Sequence, residues 1–202
     1  MQIGDGTEYI EKNFSGSSLK EMNMKENRFS RCTFENVSLE DLNTEGCIFS
    51  ECNFTGARLN GSRHRNSAFL NCVFEGTNFF GSDFLGCKMV GSGFSEAILT
   101  AISIKGGDWS YCNLRFSSLK GLDLREVRFK QADFYGSNLE KTDFRNSDLT
   151  HALLQKAKLK GMDLRGAVIE GIDFRGCNLE GVKLDIDQAV QVVRSLGARV
   201  GE

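Results

Sequence analysis

An apolar side chain recurs at every fifth position from Phe14 to Leu184 without a single insertion. The positions whose numbers end in 4 or 9 are the centres of 35 consecutive five-residue units, and only Thr44 and His64 place a residue that is not apolar there. A period of five fits neither an α-helix, with about 3.6 residues per turn, nor a simple β-strand, with a period of about two. A fixed short period over most of a chain is typical of a solenoid of stacked units.

Two further positions of each unit define its shape. The residue two places before the centre is small, as at Ala57 and Ser82, and the residue two places after it is Gly in 16 of 35 units. This pattern predicts a short extended segment with two inward side chains, followed by a tight corner. Glycine at that corner indicates a positive φ, which costs Gly almost nothing.

A second period of 20 residues is contained in the first. Among every fourth centre, the column that starts at Leu19 has Leu at eight of nine places, and the column that starts at Phe14 is Phe except at Leu114 and Leu154. Residues 20 apart are therefore expected to stack in neighbouring coils about 4.8 Å apart. The sequence predicts an all-β, four-sided rod of about nine coils, roughly 40 Å long. Tyr9 keeps the register and is expected to lie in a capping strand at the N-terminal end.

The composition favours one elongated repeat domain. The chain has no proline, and no polar linker or break in register precedes residue 185. We expect a β-helical domain over residues 1–184, with regular repeats over 14–184, and a separate C-terminal element over 185–202. No apolar run is long enough for a membrane span and no signal-peptide pattern is present, so we expect a cytoplasmic protein with no membrane contact.

The residue types used in catalysis and metal binding do not form a recognisable site. All seven cysteines occupy the small inward position, which favours free thiols packed in the core over metal ligands or disulfides; they are Cys32, Cys47, Cys52, Cys72, Cys87, Cys112 and Cys177. His64 and His151 are more than four coils apart, too far to act together. We expect no enzyme activity, no cofactor and no metal. For His64 the favoured interpretation is a local distortion, or a side chain turned to solvent.

The five-residue period stops after Leu184, and a period of 3.6 begins. Apolar residues then follow helical spacing and predict a helix of about three turns; they are Ile186, Ala189, Val190, Val193 and Leu196. Asp185 or Asp187 is suited to the N-cap and Gly197 to the position after the C-cap. Because so short a helix is marginal alone, its apolar stripe must cover the last coil or a second copy of the chain.

Charge is distributed unevenly along the rod. Residues 1–100 carry 13 acidic and 9 basic side chains, whereas residues 101–202 carry 14 acidic and 16 basic ones. In the basic half Arg125, Arg145 and Arg165 stack beside Asp123, Asp143 and Asp163. This column is either a solvated salt-bridge ladder or a strip that meets phosphates or an acidic partner. With a pI near 5.8, direct nucleic-acid binding is not expected.

Two outward sets of residues are candidates for partner binding. An acidic band wraps around the second coil and would suit a cationic surface that normally holds DNA, or else would keep the N-terminal end soluble; it comprises Glu35, Glu40, Asp41, Glu45 and Glu51. Apolar residues replace small or polar ones just after four centres, either as an exposed patch or as packing across the corners; they are Leu70, Phe80, Leu85 and Val90.

Units such as ADFYG, SNLEK, TDFRN and CNLEG resemble the signature of pentapeptide-repeat proteins over residues 14–184. The segments FLNCVFEGTNFFGSDFLGC, at 69–87, and GVKLDIDQAVQVVRSLGARVG, at 181–201, are similar to the Qnr-type quinolone-resistance proteins and related proteins that protect against gyrase-targeting toxins. The resemblance implies a right-handed quadrilateral β-helix that dimerises head to head through its C-terminal helix. It also implies a rod that imitates B-form DNA and binds DNA gyrase or topoisomerase IV.

By this resemblance the homodimer seam is lined by residues of the last coil and the helix, namely Val182, Leu184, Ile186, Val190, Val193 and Leu196. The function it implies is protection of a type II topoisomerase from quinolones or toxins. The alternative is a pentapeptide-repeat scaffold that binds another protein and never contacts a topoisomerase.

Overall fold

The computed structural model describes residues 3–201, and these form a parallel β-solenoid that ends in one α-helix. The terminal residues Met1, Gln2 and Glu202, which the predicted domains include, lie outside the described residues. The helix, α1, spans Ile186–Ser195. The predicted all-β solenoid with a short C-terminal helix is confirmed.

Nine strands of three residues each provide the regular sheet structure of residues 3–201. They are β1 Glu8–Ile10, β2 Asn23–Lys25, β3 Arg28–Ser30, β4 Asn43–Glu45, β5 Ile48–Ser50, β6 Arg63–Arg65, β7 Ala68–Leu70, β8 Asp83–Leu85 and β9 Ser103–Lys105. They form two parallel sheets, in the orders β1-β3-β5-β7 and β2-β4-β6-β8-β9. We name the four faces by their first centres: face A from Phe14, face B from Leu19, face C from Met24 and face D from Phe29.

The 20-residue register holds along the whole solenoid. Phe29 pairs with Phe49 in β3 and β5, and isolated bridges continue the same register as far as Asp163 with Lys183. The named strands account for only about five turns, fewer than the nine coils that the sequence predicts. Beyond Lys105, adjacent coils are joined by single-residue bridges rather than by three-residue strands.

Every corner of the rod uses the left-handed backbone region, whatever residue occupies it. Gly56 and Gly166 have φ values of 66° and 73°, and Glu51 and Asn146 have 54° and 60° at equivalent corners. A residue with a Cβ loses free energy in this conformation. Glycine is therefore favoured at the corner but not required, because the hydrogen bonds on both sides fix the turn.

The core consists of aromatic columns that stack along the axis. On face A the ring centroids of Phe54 and Phe74 are 5.0 Å apart, and those of Phe74 and Phe94 are 5.2 Å apart. Face D repeats this with Phe49 and Phe69 at 4.7 Å. Neighbouring columns meet edge to face, as expected for aromatic pairs. Stacking follows from the register, because the coil spacing matches the separation of stacked rings.

The second inward position holds small groups that hydrogen-bond to the coil below. Ser82 Oγ donates to the carbonyl of Leu59 at 2.7 Å, and Thr77 Oγ1 to that of Phe54 at 2.7 Å. Cysteine does the same more weakly, as Cys112 Sγ donates to Met89 O at 3.1 Å. Six of the seven cysteines are buried, and all seven are free. The predicted inward placement is confirmed, and burial raises the pKa of the Cys87 thiol to about 11.

One tryptophan fills a wide layer of the core. Trp109 is 1% exposed and stacks on Phe94 at 5.4 Å. The small inward position before it is Gly107, where an added Cβ would stand 2.1 Å from Cys87 O. A larger residue is therefore excluded at this position. As the single tryptophan of the chain, Trp109 reports on unfolding through its fluorescence.

A polar network replaces the apolar column at Thr44 and His64. The His64 Nδ1 lies 2.8 Å from Thr44 Oγ1, and its Nε2 lies 2.9 Å from Ser62 Oγ. Thr44 also pairs with Ser67 at 2.9 Å, and Ser62 donates to Ser82 at 3.2 Å. The interpretation of a distorted or solvent-facing His64 is wrong. The side chain is 1% exposed within a regular strand, because hydroxyl groups in its own coil and in the coil below satisfy both ring nitrogens.

We expect Phe74→Ala to lower the free energy of unfolding by about 3–5 kcal/mol, the usual cost of truncating a fully buried aromatic side chain. Phe74 is 0% exposed. Urea unfolding followed by Trp109 fluorescence measures the change. Val73→Ala, one residue away on the outer surface, is the control and should change the free energy by less than about 0.5 kcal/mol. A loss below about 1 kcal/mol for Phe74→Ala would contradict the packing of Phe74 in the aromatic column of face A.

Burial lowers the pKa of His64 from its ordinary 6.5 to about 3, so the neutral ring stabilises the fold. This contribution is complete above pH 6.5 and is lost as the pH falls toward 3, by about 2 kcal/mol at pH 5. We expect His64→Phe to remove that part of the pH dependence, because a phenyl ring does not titrate. The fold should tolerate the change, since Thr44 keeps Ser67 and Ser62 keeps Ser82 as hydrogen-bond partners. Chemical unfolding at pH 5 and pH 8 tests this, with the exposed His151→Gln as control. If the free energy of unfolding of His64→Phe depends on pH as steeply as that of the wild type, the pH dependence does not come from His64.

Candidate interaction surfaces

The side chains available to a partner come from fixed places in each unit. The residues just before and after each centre point outward from a flat face, and the residue at the corner projects between two faces. Residues 20 apart then form outward columns along the rod. The register thus decides which charges and apolar groups become neighbours.

Helix α1 packs on the end of the solenoid through a polar anchor. Gln188, which is 4% exposed, donates its Nε2 hydrogens to the carbonyls of Leu164 and Ala167, the second at 2.8 Å. Its Oε1 accepts the N–H of Asp185 at 2.9 Å. Of the two predicted N-cap candidates, Asp185 and Asp187, the structure selects Asp185. The prediction for Gly197 is confirmed, since it adopts the left-handed conformation after the helix, at a φ of 96°.

The predicted apolar stripe is not what covers the last coil. Gln188 and Val192 are the buried residues of α1, whereas Ile186, Val193 and Leu196 are 84%, 40% and 53% exposed. The other predicted seam residues, Val182, Leu184 and Val190, are half-buried. One chain therefore leaves this stripe largely uncovered, and its part in a dimer stays a prediction.

The end of the solenoid beside α1 is an open edge. Within residues 3–201, the backbone N–H groups of Ile169, Gly171 and Phe174 have no hydrogen-bond partner, although the equivalent groups of earlier coils donate to the next coil. This rim and α1 enclose a groove of about 940 Å³. Unpaired strand edges are sites where another chain adds.

The predicted acidic band encircles the rod and does not gather on one face. Glu35 lies on face A, Glu40 on face B and Glu45 on face C. Asp41 and Glu51 project from two different corners, with φ values of 55° and 54°. A partner that grips one side of the rod meets only part of the band.

Part of this band is neutralised within the chain. Glu40 accepts from Arg58 Nε at 2.8 Å and lies 3.3 Å from Lys20 Nζ. Partial burial acts to raise its pKa, but the hydrogen bonds from Arg58, Ser38 and Lys20 outweigh it and lower the pKa to about 2. Glu45 lies 3.9 Å from Lys25. In the part of the chain that the structure describes, the remaining three carboxylates form no ion pair; they are Glu35, Asp41 and Glu51.

The four predicted apolar residues do not form one patch. Leu70 and Val90 are half-buried neighbours on face D, where the N–H of Asn71 donates to the carbonyl of Val90 at 2.9 Å. Phe80 is 53% exposed on face B, and Leu85 is 43% exposed on face C. The four-sided cross-section separates them, so a single flat partner cannot contact all four.

The Asp-x-Arg column of face C is a salt-bridge ladder. The Arg125 guanidinium binds the carboxylate of Asp123 through Nε at 2.8 Å and Nη2 at 2.6 Å, and Arg145 binds Asp143 through the same two nitrogens. Hydrogen bonds from the arginines lower the pKa values of both carboxyls. Asp173 and Arg175, a pair that the sequence interpretation omitted, do the same on face A. Arginines held in this way leave little free positive charge for phosphates.

A cluster of aromatic and basic side chains lies where the sequence interpretation placed nothing. Arg115, Phe116, Tyr135 and Lys156 meet at the corner between faces A and B, and we call them the aromatic–cation cluster. The Arg115 guanidinium lies 4.3 Å from the Tyr135 ring centroid, and Lys156 Nζ lies 5.2 Å from it. The available signal was an aromatic residue at a corner, a place mostly given to Gly, Asn and Glu.

None of the helices within residues 3–201 has the length and apolar character that crossing a membrane requires. Within the same residues, His, Cys, Asp and Glu side chains do not assemble in groups of three that would hold a metal ion.

Comparison with known proteins gives structural and family matches. No curated protein matches this chain. A trypsin-treated variant of QnrB1, a plasmid-mediated fluoroquinolone resistance protein, is 25% identical with a TM-score of 0.72, and the match covers 98% of this chain and 100% of that one. A second trypsin-treated variant and full-length QnrB1 are 23% and 22% identical, each with a TM-score of 0.74 and coverage of 96% and 99%.

Two family models match the sequence. The pentapeptide repeat region model matches residues 77–152 and 118–185, and the model of eight pentapeptide repeat copies matches residues 28–63. These matches fall on the segments where the five-residue period, the left-handed corners and the 20-residue register coincide. The chain belongs to the pentapeptide-repeat family.

Proposed function

We propose that this chain is a Qnr-like binding protein that protects a type II topoisomerase, DNA gyrase or topoisomerase IV, from quinolones or gyrase-targeting toxins. It acts without catalysis, in the cytoplasm, as a homodimer that occupies a surface where DNA normally binds. The observation that carries the proposal is the likeness to QnrB1 over 98% of this chain and 100% of that one. It extends beyond the repeats and includes the C-terminal end.

The shape of the rod supports this mode of binding. A four-sided solenoid whose outward columns repeat a residue about every 4.8 Å along the rod offers a long and rigid surface to a groove. Rigidity matters because the rod itself then loses little conformational entropy on binding. The acidic residues without an ion pair, Glu35, Asp41 and Glu51, lie toward the N-terminal end, which is the outer end of each arm if α1 lies at the dimer centre.

The direct test is a gyrase supercoiling assay titrated with this protein, with and without a fluoroquinolone. Protection is expected as supercoiling that persists at a drug concentration that stops the enzyme alone. If the protein changes neither supercoiling nor drug sensitivity of gyrase or topoisomerase IV, the alternative function is favoured, that of a scaffold for another protein.

Reversing charge at the unpaired acidic corners should weaken topoisomerase binding. We expect Asp41→Lys with Glu51→Lys to lower the affinity by about tenfold or more at low salt, and the difference should shrink as salt screens charges over about 8–10 Å. Surface plasmon resonance at two salt concentrations measures it.

The control is Glu96→Lys with Glu126→Lys, which changes the net charge equally at two corner residues outside the acidic band. Equal losses in the two double variants would show that net charge, not the acidic band, matters. No loss in either would remove the electrostatic part of the proposal. If Phe80→Ser and Leu85→Ser instead weaken binding to the same extent at both salt concentrations, the apolar residues form the contact with the topoisomerase.

Placing a charge in the exposed stripe of α1 should separate the dimer. Val193→Glu or Leu196→Glu leaves Gln188 and Val192 in place, so the coils should stay intact. An unpaired charge buried at an interface costs about 3–5 kcal/mol, which weakens association at least about a hundredfold. Sedimentation equilibrium decides this, with Gln191→Glu, outside the stripe on the same helix, as the control. A dimer that survives both stripe variants contradicts this seam.

A further inference from the structure

Phe116 occupies a corner that leaves most of its phenyl ring in solvent. Its φ is 58°, in the left-handed region, and 70% of its surface is exposed. Every corner of the rod is left-handed, so the distinguishing feature of this corner is its bulky ring, which is seldom found in that conformation. Tyr111, at the preceding corner of the same coil, repeats the feature with a φ of 61° and 51% exposure. Two aromatic residues therefore border face A at one level of the rod.

The Phe116 ring is held in place by its neighbours. An added Cβ at Gly136, in the next coil, would lie 2.6 Å from Phe116 Cε1, so the absence of a side chain there lets the ring lie along the backbone. Tyr135 meets the ring edge to face at 5.6 Å and 84°. The exposed ring is thus pre-organised for a contact, so the Phe116 side chain loses less conformational entropy on binding.

Positive charge adjoins this ring. Arg115 lies 5.7 Å from the Phe116 centroid and pairs with Asp133 at 3.1 Å, whereas Lys156 forms no ion pair within residues 3–201. A hollow of about 460 Å³ opens between Phe116 and the coil below it, with Arg115 and Glu96 among its walls. Exposed aromatic residues beside arginine are the side chains that dominate protein–protein binding energy.

We propose that the aromatic–cation cluster is a docking site for an acidic protein segment, with an aromatic side chain stacked on Phe116 and an adjacent carboxylate on Lys156. A nucleic-acid strand fits less well, because a phosphate backbone needs a row of free cations, whereas Arg115 is already paired with Asp133 and Lys156 is the one cation of the cluster without an ion pair within residues 3–201. The site lies in the other half of the rod from the acidic band and apart from α1. It therefore extends the proposed function and does not depend on it.

Binding of a fluorescein-labelled random copolymer of Glu and Tyr, followed by anisotropy, tests the proposal on the full chain. Polyglutamate, a copolymer of Lys and Tyr, and oligo(dT) are the comparison probes. The wild-type protein should bind the Glu–Tyr copolymer more tightly than each of the others. Phe116→Asn should weaken this binding by about tenfold or more, as expected for an aromatic anchor, and Lys156→Gln by a smaller factor.

Asparagine is a safe replacement, since Asn66 and Asn71 occupy equivalent corners with φ values of 49° and 52°. Thermal unfolding followed by Trp109 fluorescence should show that Phe116→Asn is at least as stable as the wild type. The matched control is Phe80→Asn, which replaces an exposed aromatic residue on face B outside the cluster and should leave binding unchanged. Absence of copolymer binding, an equal loss in Phe80→Asn, or preferential Phe116-dependent binding of oligo(dT) would each overturn the proposal.

Discussion

Hydrogen bonds between successive coils, 20 residues apart along the chain, are the interaction on which the rest of this structure depends. Through most of the rod the N–H of a centre donates to a carbonyl of the next coil, as Leu59 does to Asn78 at 2.8 Å. This places residues of the same type above one another in successive coils. A phenylalanine therefore stacks on a phenylalanine, and a serine hydroxyl reaches a backbone carbonyl of the coil below. The same bonds hold residues such as Glu51 in a left-handed corner that their own preferences do not favour.

The register also organises the surface charges. Because opposite charges fall in the same or adjacent columns, Lys20 meets Glu40 and Lys120 meets Glu140 one coil away. Each exposed pair adds little stability, but together they reduce the free charge that the rod presents. Where pairing is incomplete, at the acidic corners and at Lys156, charge remains for a partner. These unpaired positions carry the proposals for binding better than the net charge of −2 does.

The open end of the solenoid shows why the repeats need a separate element. A β-solenoid has no intrinsic stopping point, since its last coil exposes a row of N–H groups. Here α1 covers part of that end through Gln188, whose amide replaces the hydrogen bonds that another coil would supply. The uncovered part, with the exposed stripe of α1 beside it, is the surface expected to meet a second copy.

The sequence by itself determined the solenoid, its period, the inward position of every cysteine and the presence of α1. Each of these follows from local conformational preference or from a side-chain pattern repeated many times. Because it is repeated, such a pattern can be recognised in the sequence alone. The tertiary structure alone decided what depends on a single contact across coils. It placed His64 in the core because Thr44 and Ser62 lie within reach, turned Gln188 rather than the apolar stripe toward the last coil, and set Phe116 over Gly136. One residue that departs from a repeat carries no periodic signal, so its neighbours in space must settle where its side chain goes.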